Sequence, residues 1–163
     1  MKADKACIDV AAGRAPADLV FKNVNVVNVF SEEIITADVA VAGGVIAGVG
    51  SYRGRTELDC TDKFLCPGFI DAHIHIESSL AAPFEFARAA TRSGTTTIVD
   101  HMAFGPKGCS LWHQVEEYHR LADGKAVIDY GFHGVLQHVN GQILREMGEI
   151  ADREGITSFK AYL

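Results

Sequence analysis

From Pro67 onward the sequence alternates between short apolar runs of strand length and longer runs of helical period, and that alternation admits few folds. Residues 67–77, Pro-Gly-Phe-Ile-Asp-Ala-His-Ile-His-Ile-Glu, read as a buried strand that Pro67-Gly68 opens. Residues 95–100, 126–133 and 156–162 read as three more strands. A helix is expected over 83–91, with Gly94 as its stop. Ser110 is a natural N-cap for a helix running to Asp123, in which Leu111, Val115, Tyr118 and Ala122 share one face. In the next helix Ile143, Leu144, Met147, Ile150 and Ala151 form the core face, and Gly155 ends it. Strands alternating with helices of this length build a parallel sheet of βαβ units, so the fold class is α/β.

Residues 1–66 follow a different pattern and read as a small β-module. An alanine-rich lead-in, a short helix or an arm, closes on Gly13-Arg14-Ala15-Pro16. Residues 19–30 are rich in β-branched side chains. After a turn at Ser31-Glu32-Glu33, residues 34–41 and 45–49 flank Gly43-Gly44, a hairpin signal. A further strand is expected through 56–59. Residues 67–163 form the second part.

Composition excludes several classes. The net charge of −6 argues against a nucleic-acid partner. No run is apolar and long enough to span a membrane, and the first ten residues lack a signal-peptide core. Cys7, Cys60, Cys66 and Cys109 are scattered without a Cys-x-x-Cys pair, which suits reduced thiols in a cytoplasm.

Chemistry concentrates where the first of the alternating strands ends. His73 and His75 are two residues apart, so on a strand they point to the same side. Two imidazoles on one face can hold a metal ion, zinc being the commonest. A bare His-x-His is equally compatible with two ordinary histidines, so the surrounding residues decide.

Those residues resemble the amidohydrolase superfamily, whose first barrel strand Pro67-Gly68-Phe69-Ile70-Asp71-Ala72-His73-Ile74-His75 matches. The resemblance implies a (β/α)₈ barrel with metal at the C-terminal ends of its strands, in agreement with where barrel chemistry sits. The chain then reads as the N-terminal part of such a barrel, about four βα units, preceded by the β-module. From about residue 89 to 163 the likeness is to the hydantoinases, near the phenylhydantoinases and dihydropyrimidinases. It is carried by Asp100-His101-Met102-Ala103-Phe104-Gly105-Pro106-Lys107-Gly108-Cys109 and by 125–135. From about 10 to 90, Gly13-Arg14-Ala15-Pro16-Ala17-Asp18-Leu19-Val20 and His73-Ile74-His75-Ile76-Glu77-Ser78-Ser79 are similar to bacterial adenine deaminases.

In the hydantoinases a lysine ending the fourth strand is carboxylated and bridges two metal ions. Ser158-Phe159-Lys160-Ala161-Tyr162 matches that motif, so the role passes to Lys160. An ammonium cannot ligate a cation, but its carbamate is an anionic ligand with two oxygens. The resemblance therefore implies two divalent ions, zinc or alternatively manganese, held by His73, His75 and carboxylated Lys160. His101 and His133 fall at the active face and are expected to contact substrate. His113 and His119 are expected on the solvated face of a helix, and His138 past a strand end.

The implied activity is hydrolysis of a cyclic amide by metal-activated hydroxide, the substrate being a small cyclic amide or a nucleobase-like ring. Adenine deamination is the alternative, and a non-catalytic half-barrel is the alternative of another class. No catalytic acid–base residue is assigned. The hydantoinase pattern also calls for two more histidines, an aspartate and a tyrosine outside this chain. The expectation is an N-terminal piece that is inactive alone, from a cytoplasmic homo-oligomer.

Overall fold

The computed structural model describes residues 4–76, 91–103 and 105–162. The chain divides into two compact units, Met1–Pro67 and Gly68–Leu163.

The first unit opens with α1 (Lys5–Ala11), which Asp4 caps by accepting the Ala6 amide at 3.2 Å. Five strands follow: β1 (Ala17–Asn28), β2 (Glu33–Ala42), β3 (Val45–Gly50), β4 (Gly54–Asp59) and the two-residue β5 (Phe64–Leu65). β1 is central. It pairs antiparallel with β2 and parallel with β4 and β5, and β3 completes the edge beyond β2. Gly43 and Gly44 turn the β2–β3 hairpin with φ of 58° and 77°, angles that a side chain would strain. Val10, Ala17, Val20, Ala40 and Ala42 form the core.

Asp38 is buried beside that core. Its carboxylate accepts from the Lys22 ammonium, from the Tyr52 amide at 3.1 Å and from the Asn23 amide at 3.1 Å. Burial alone would raise this carboxyl. The Lys22 ammonium and the two amides outweigh burial and hold it below the usual carboxylate range.

The second unit is a four-stranded sheet in sequential order: β6 (Phe69–Ile74), β7 (Thr95–Met102), β8 (Asp129–Leu136) and β9 (Phe159–Ala161). Every neighbouring pair is parallel. Between β7 and β8 runs α2 (Leu111–Ala122), and between β8 and β9 runs α3 (Gly141–Glu154). Ser110 caps α2 through the His113 amide, and Asn140 caps α3 through the amides of Gln142 and Ile143. Gly155 closes α3 with φ 70°. Met102, Leu111, Val115, Tyr118, Ile143, Ile150 and Ile156 make a continuous apolar core between sheet and helices.

Four details depart from the sequence reading. β6 is not buried: Phe69 and Ile70 are 59% and 66% exposed. It also ends at Ile74, so His75 lies just past it. β8 begins three residues later than expected, and Val127 stands exposed ahead of it. Leu144 is 59% exposed, and Glu146 takes the core-facing position. Glu146 is buried because its carboxylate accepts the Leu111 amide at 2.8 Å, an α2 donor with no partner inside its own helix. Its other oxygen accepts from Gln142 at 2.7 Å. The helix expected over 83–91 lies outside the described residues except for Thr91.

Candidate metal centre

The strand registers decide which side chains can meet. His101 pairs with His133 across β7 and β8, and Val135 pairs with Lys160 across β8 and β9. Residues two apart on a strand share a face, so His101, His133 and Lys160 project to one side. Ile74 pairs with Asp100 across β6 and β7, which sets His75 level with His101. All five residues singled out from the sequence therefore converge at the C-terminal ends of the strands.

The distances are short. One ligand atom each from His73, His75 and His101 lie within 4.8 Å of one another. The His101 ring centroid is 4.2 Å from that of His73 and 4.4 Å from that of His75. Lys160 Nζ lies 2.9 Å from His75 Nε2 and 5.2 Å from the Tyr162 ring centroid. The His133 ring is 4.7 Å from that of His101.

His101 is the most enclosed member, at 4% exposure. Its Nδ1 hydrogen-bonds the Ile74 carbonyl at 2.9 Å, which requires Nδ1 to carry the proton. Burial lowers its pKa from the usual histidine value, and His75, His73 and His133 act in the same direction against the opposing Ile74 carbonyl. The neutral ring with Nδ1 protonated keeps its Nε2 lone pair for a Lewis acid.

His133 is committed differently. Its Nε2 hydrogen-bonds the Ala72 carbonyl at 2.9 Å, and its Nδ1 pairs with the Ser158 hydroxyl. A neutral ring satisfies both, donating to Ala72 and accepting from Ser158. His133 thereby ties β6 to the segment entering β9, passing over β7.

Backbone anchors surround the cluster. Buried Asp100 accepts the Ile76 amide at 3.2 Å and the His101 amide at 2.9 Å through one oxygen. The loop after β7 is held by the Ala103 amide donating to the Tyr118 hydroxyl at 2.9 Å, and by Gln137 donating to the Ala103 carbonyl at 2.7 Å. The sequence reading passed over Asp100, Tyr118 and Ser158. Asp100 carried a usable signal: it alternates with His101, so it faces the helices and must be paired there.

The remaining histidines lie elsewhere. His119 is not on a solvated face. Its ring packs edge-on against Phe132 at 5.2 Å and bonds Asp123 at 3.0 Å, near the start of β8.

The donor chemistry fits a divalent cation. The cluster offers imidazole nitrogens, and the hydrogen bond from the far nitrogen of His101 to a carbonyl is the pattern that orients ligating histidines.

Comparison with known proteins finds similar chains. D-phenylhydantoinase of Escherichia coli K12 is 42% identical over 155 residues, covering 89% of this chain and 33% of that enzyme. The crystal structure of dihydropyrimidinase from Brevibacillus agri NCHU1002 superposes with a TM-score of 0.77 at 34% identity, covering 86% of this chain and 32% of that one. These relatives are consistent with the amidohydrolase superfamily, which the chain resembles. It is also similar to adenine deaminase of Clostridium acetobutylicum, at 55% identity over 92 residues, 56% of this chain and 16% of that enzyme. No family model matches the sequence. The chain spans about a third of the length of the curated phenylhydantoinases it matches. Its described helices include none long and apolar enough to cross a membrane.

Proposed function

We propose that this chain carries the metal-anchoring strands of a hydrolase for cyclic amides, of the hydantoinase and dihydropyrimidinase kind. The observation that carries the reading is the meeting of His73, His75 and Lys160 at the strand ends, in a chain 34% identical to a dihydropyrimidinase over 86% of its length. His73 and His75 would hold one divalent cation, and Lys160, once carboxylated on Nζ, would link it to a second. Zinc suits imidazole nitrogens, with manganese as the alternative. When bound, such a cation acidifies water and polarises a carbonyl.

The other residues position and line. His101 and His133 stand where a small ring would rest against the cations. His133, held by Ala72 and Ser158, presents an imidazole face fixed in direction. Asp100 fixes the peptide that follows His75, so the His-x-His pair keeps its direction. The substrate in this reading is a small cyclic amide, and the working enzyme a cytoplasmic homo-oligomer.

A second reading is adenine deamination, favoured by the 55% identity over 92 residues to an adenine deaminase. A chimera separates the two. This chain replaces the matching segment of the E. coli phenylhydantoinase, and the purified product is loaded with zinc. Ring opening of phenylhydantoin or dihydrouracil without ammonia release from adenine supports the proposal. Ammonia from adenine installs the second reading. Metal binding with neither activity leaves a non-catalytic metal-binding half-barrel and defeats both.

A further inference from the structure

The sequence marks His101 as pocket lining, yet the structure holds it as a ligand would be held. Its ring packs against those of both His73 and His75, the three centroids forming a triangle, and the three ligand atoms fall within 4.8 Å of one another. Zinc–nitrogen bonds of about 2.0–2.1 Å in a tetrahedron set donors about 3.4 Å apart. The cluster therefore needs only small side-chain rotations to close on one ion. The His101 Nδ1 bond to the Ile74 carbonyl reserves Nε2 for that purpose, and the carbonyl comes from the strand that carries the other two histidines.

Lys160 adds a second observation. Its Nζ is 2.9 Å from His75 Nε2. As a plain amine or ammonium, Lys160 occupies the same nitrogen that a cation would use. It competes with the first ion instead of helping to hold it.

We infer that His101 is the third protein ligand, with His73 and His75, of a single-cation site that fills without a carbamate on Lys160. The inference rests on the metal-centre reading above and adds a loading order to it. One divalent cation seats on three imidazoles first, displacing the Lys160 amine from His75. The freed lysine, as the unprotonated amine, then adds carbon dioxide through a new N–C bond and releases one proton to give the carbamate.

The test uses the full chain in carbon dioxide-depleted buffer. Zinc affinity is measured by competition with a chromophoric chelator for the wild type, His101→Gln, Lys160→Met and His73→Ala. The expected result is one zinc per wild-type chain, binding at least about tenfold weaker in His101→Gln, and binding retained or tightened in Lys160→Met. Unchanged affinity in His101→Gln overturns the inference, as does loss of binding in Lys160→Met. A long-range proton–nitrogen NMR spectrum of the wild type gives a readout that does not depend on a variant folding. Zinc should move the ring nitrogens of His73, His75 and His101 and leave those of His113, His119 and His138 in place; an unmoved His101 overturns the inference. The underlying metal-centre reading fails separately, if His73→Ala binds zinc as the wild type does.

Discussion

Lys160 Nζ lies 2.9 Å from His75 Nε2, although Lys160 is on one outer strand of a four-stranded sheet and His75 directly follows the other. Neighbouring strands stand about 4.8 Å apart, so in a flat sheet those outer strands would be about 14 Å apart. Side chains standing perpendicular to such a sheet would not meet. The contact therefore requires strong curl, the curvature of a barrel wall, and the concave face is the one that carries the histidines.

The His-x-His pair should dominate metal binding. Replacing His73 or His75 by alanine removes one of three nitrogen donors, and zinc affinity should fall by about tenfold or more. Isothermal titration of each variant against the wild type measures it. Equal affinities would remove the strand-end site from consideration.

Ser158→Ala should destabilise the second unit without touching any proposed ligand. It deletes the hydroxyl that pairs with His133 Nδ1. The loss of one such hydrogen bond costs about 1 kcal/mol. Urea unfolding followed by the fluorescence of Trp112, the chain's one tryptophan, reads this as a lower midpoint at unchanged slope.

Glu146 gives a sharper contrast. In Glu146→Ala the buried Leu111 amide loses its acceptor, a change worth about 1–3 kcal/mol. Glu146→Gln keeps an oxygen at that position and should recover most of the loss. If the two variants unfold at the same urea concentration, the link between α3 and the N-terminus of α2 contributes nothing.

Acid should loosen the first unit through Asp38. Its pKa is lowered in the folded state, so its contribution is fully present above the ordinary carboxylate range. That contribution is lost as pH falls through the unfolded value toward the folded one. Hydrogen exchange of the Val20 and Ala40 amides should therefore accelerate as pH drops below about 4, once the intrinsic pH dependence is removed. In Asp38→Asn the corrected rates should be higher at neutral pH and show little of this acid step.

Much of the second unit was legible because its signals are local. Ser110, the Leu111–Val115–Tyr118–Ala122 face and Gly155 are caps and periodicities that a window of residues contains. The convergence of His73, His75, His101, His133 and Lys160 was legible only as strand-end positions plus a family resemblance. What escaped was set by partners far away in the chain. Leu144 fits the helical period, but its neighbour Glu146 is drawn inward by an amide 35 residues earlier. β8 starts late: Val127, apolar and β-branched, makes no ladder pair with β7, and pairing begins with Thr97 and Asp129. The closeness of His101 to His73 and His75 depends on the register between β6 and β7, which no single segment records.

The carboxylate of Asp100 holds the amides of Ile76 and His101 together, and this divides the site into two kinds of sequence. Inside that clasp, the directions of His75 and His101 are fixed by backbone and resist drift. Outside it, no such backbone clasp constrains the sequence. On the proposed hydrolase reading, one heterocycle could then be exchanged for another by rewriting the approach alone, with the two held histidines left as they are.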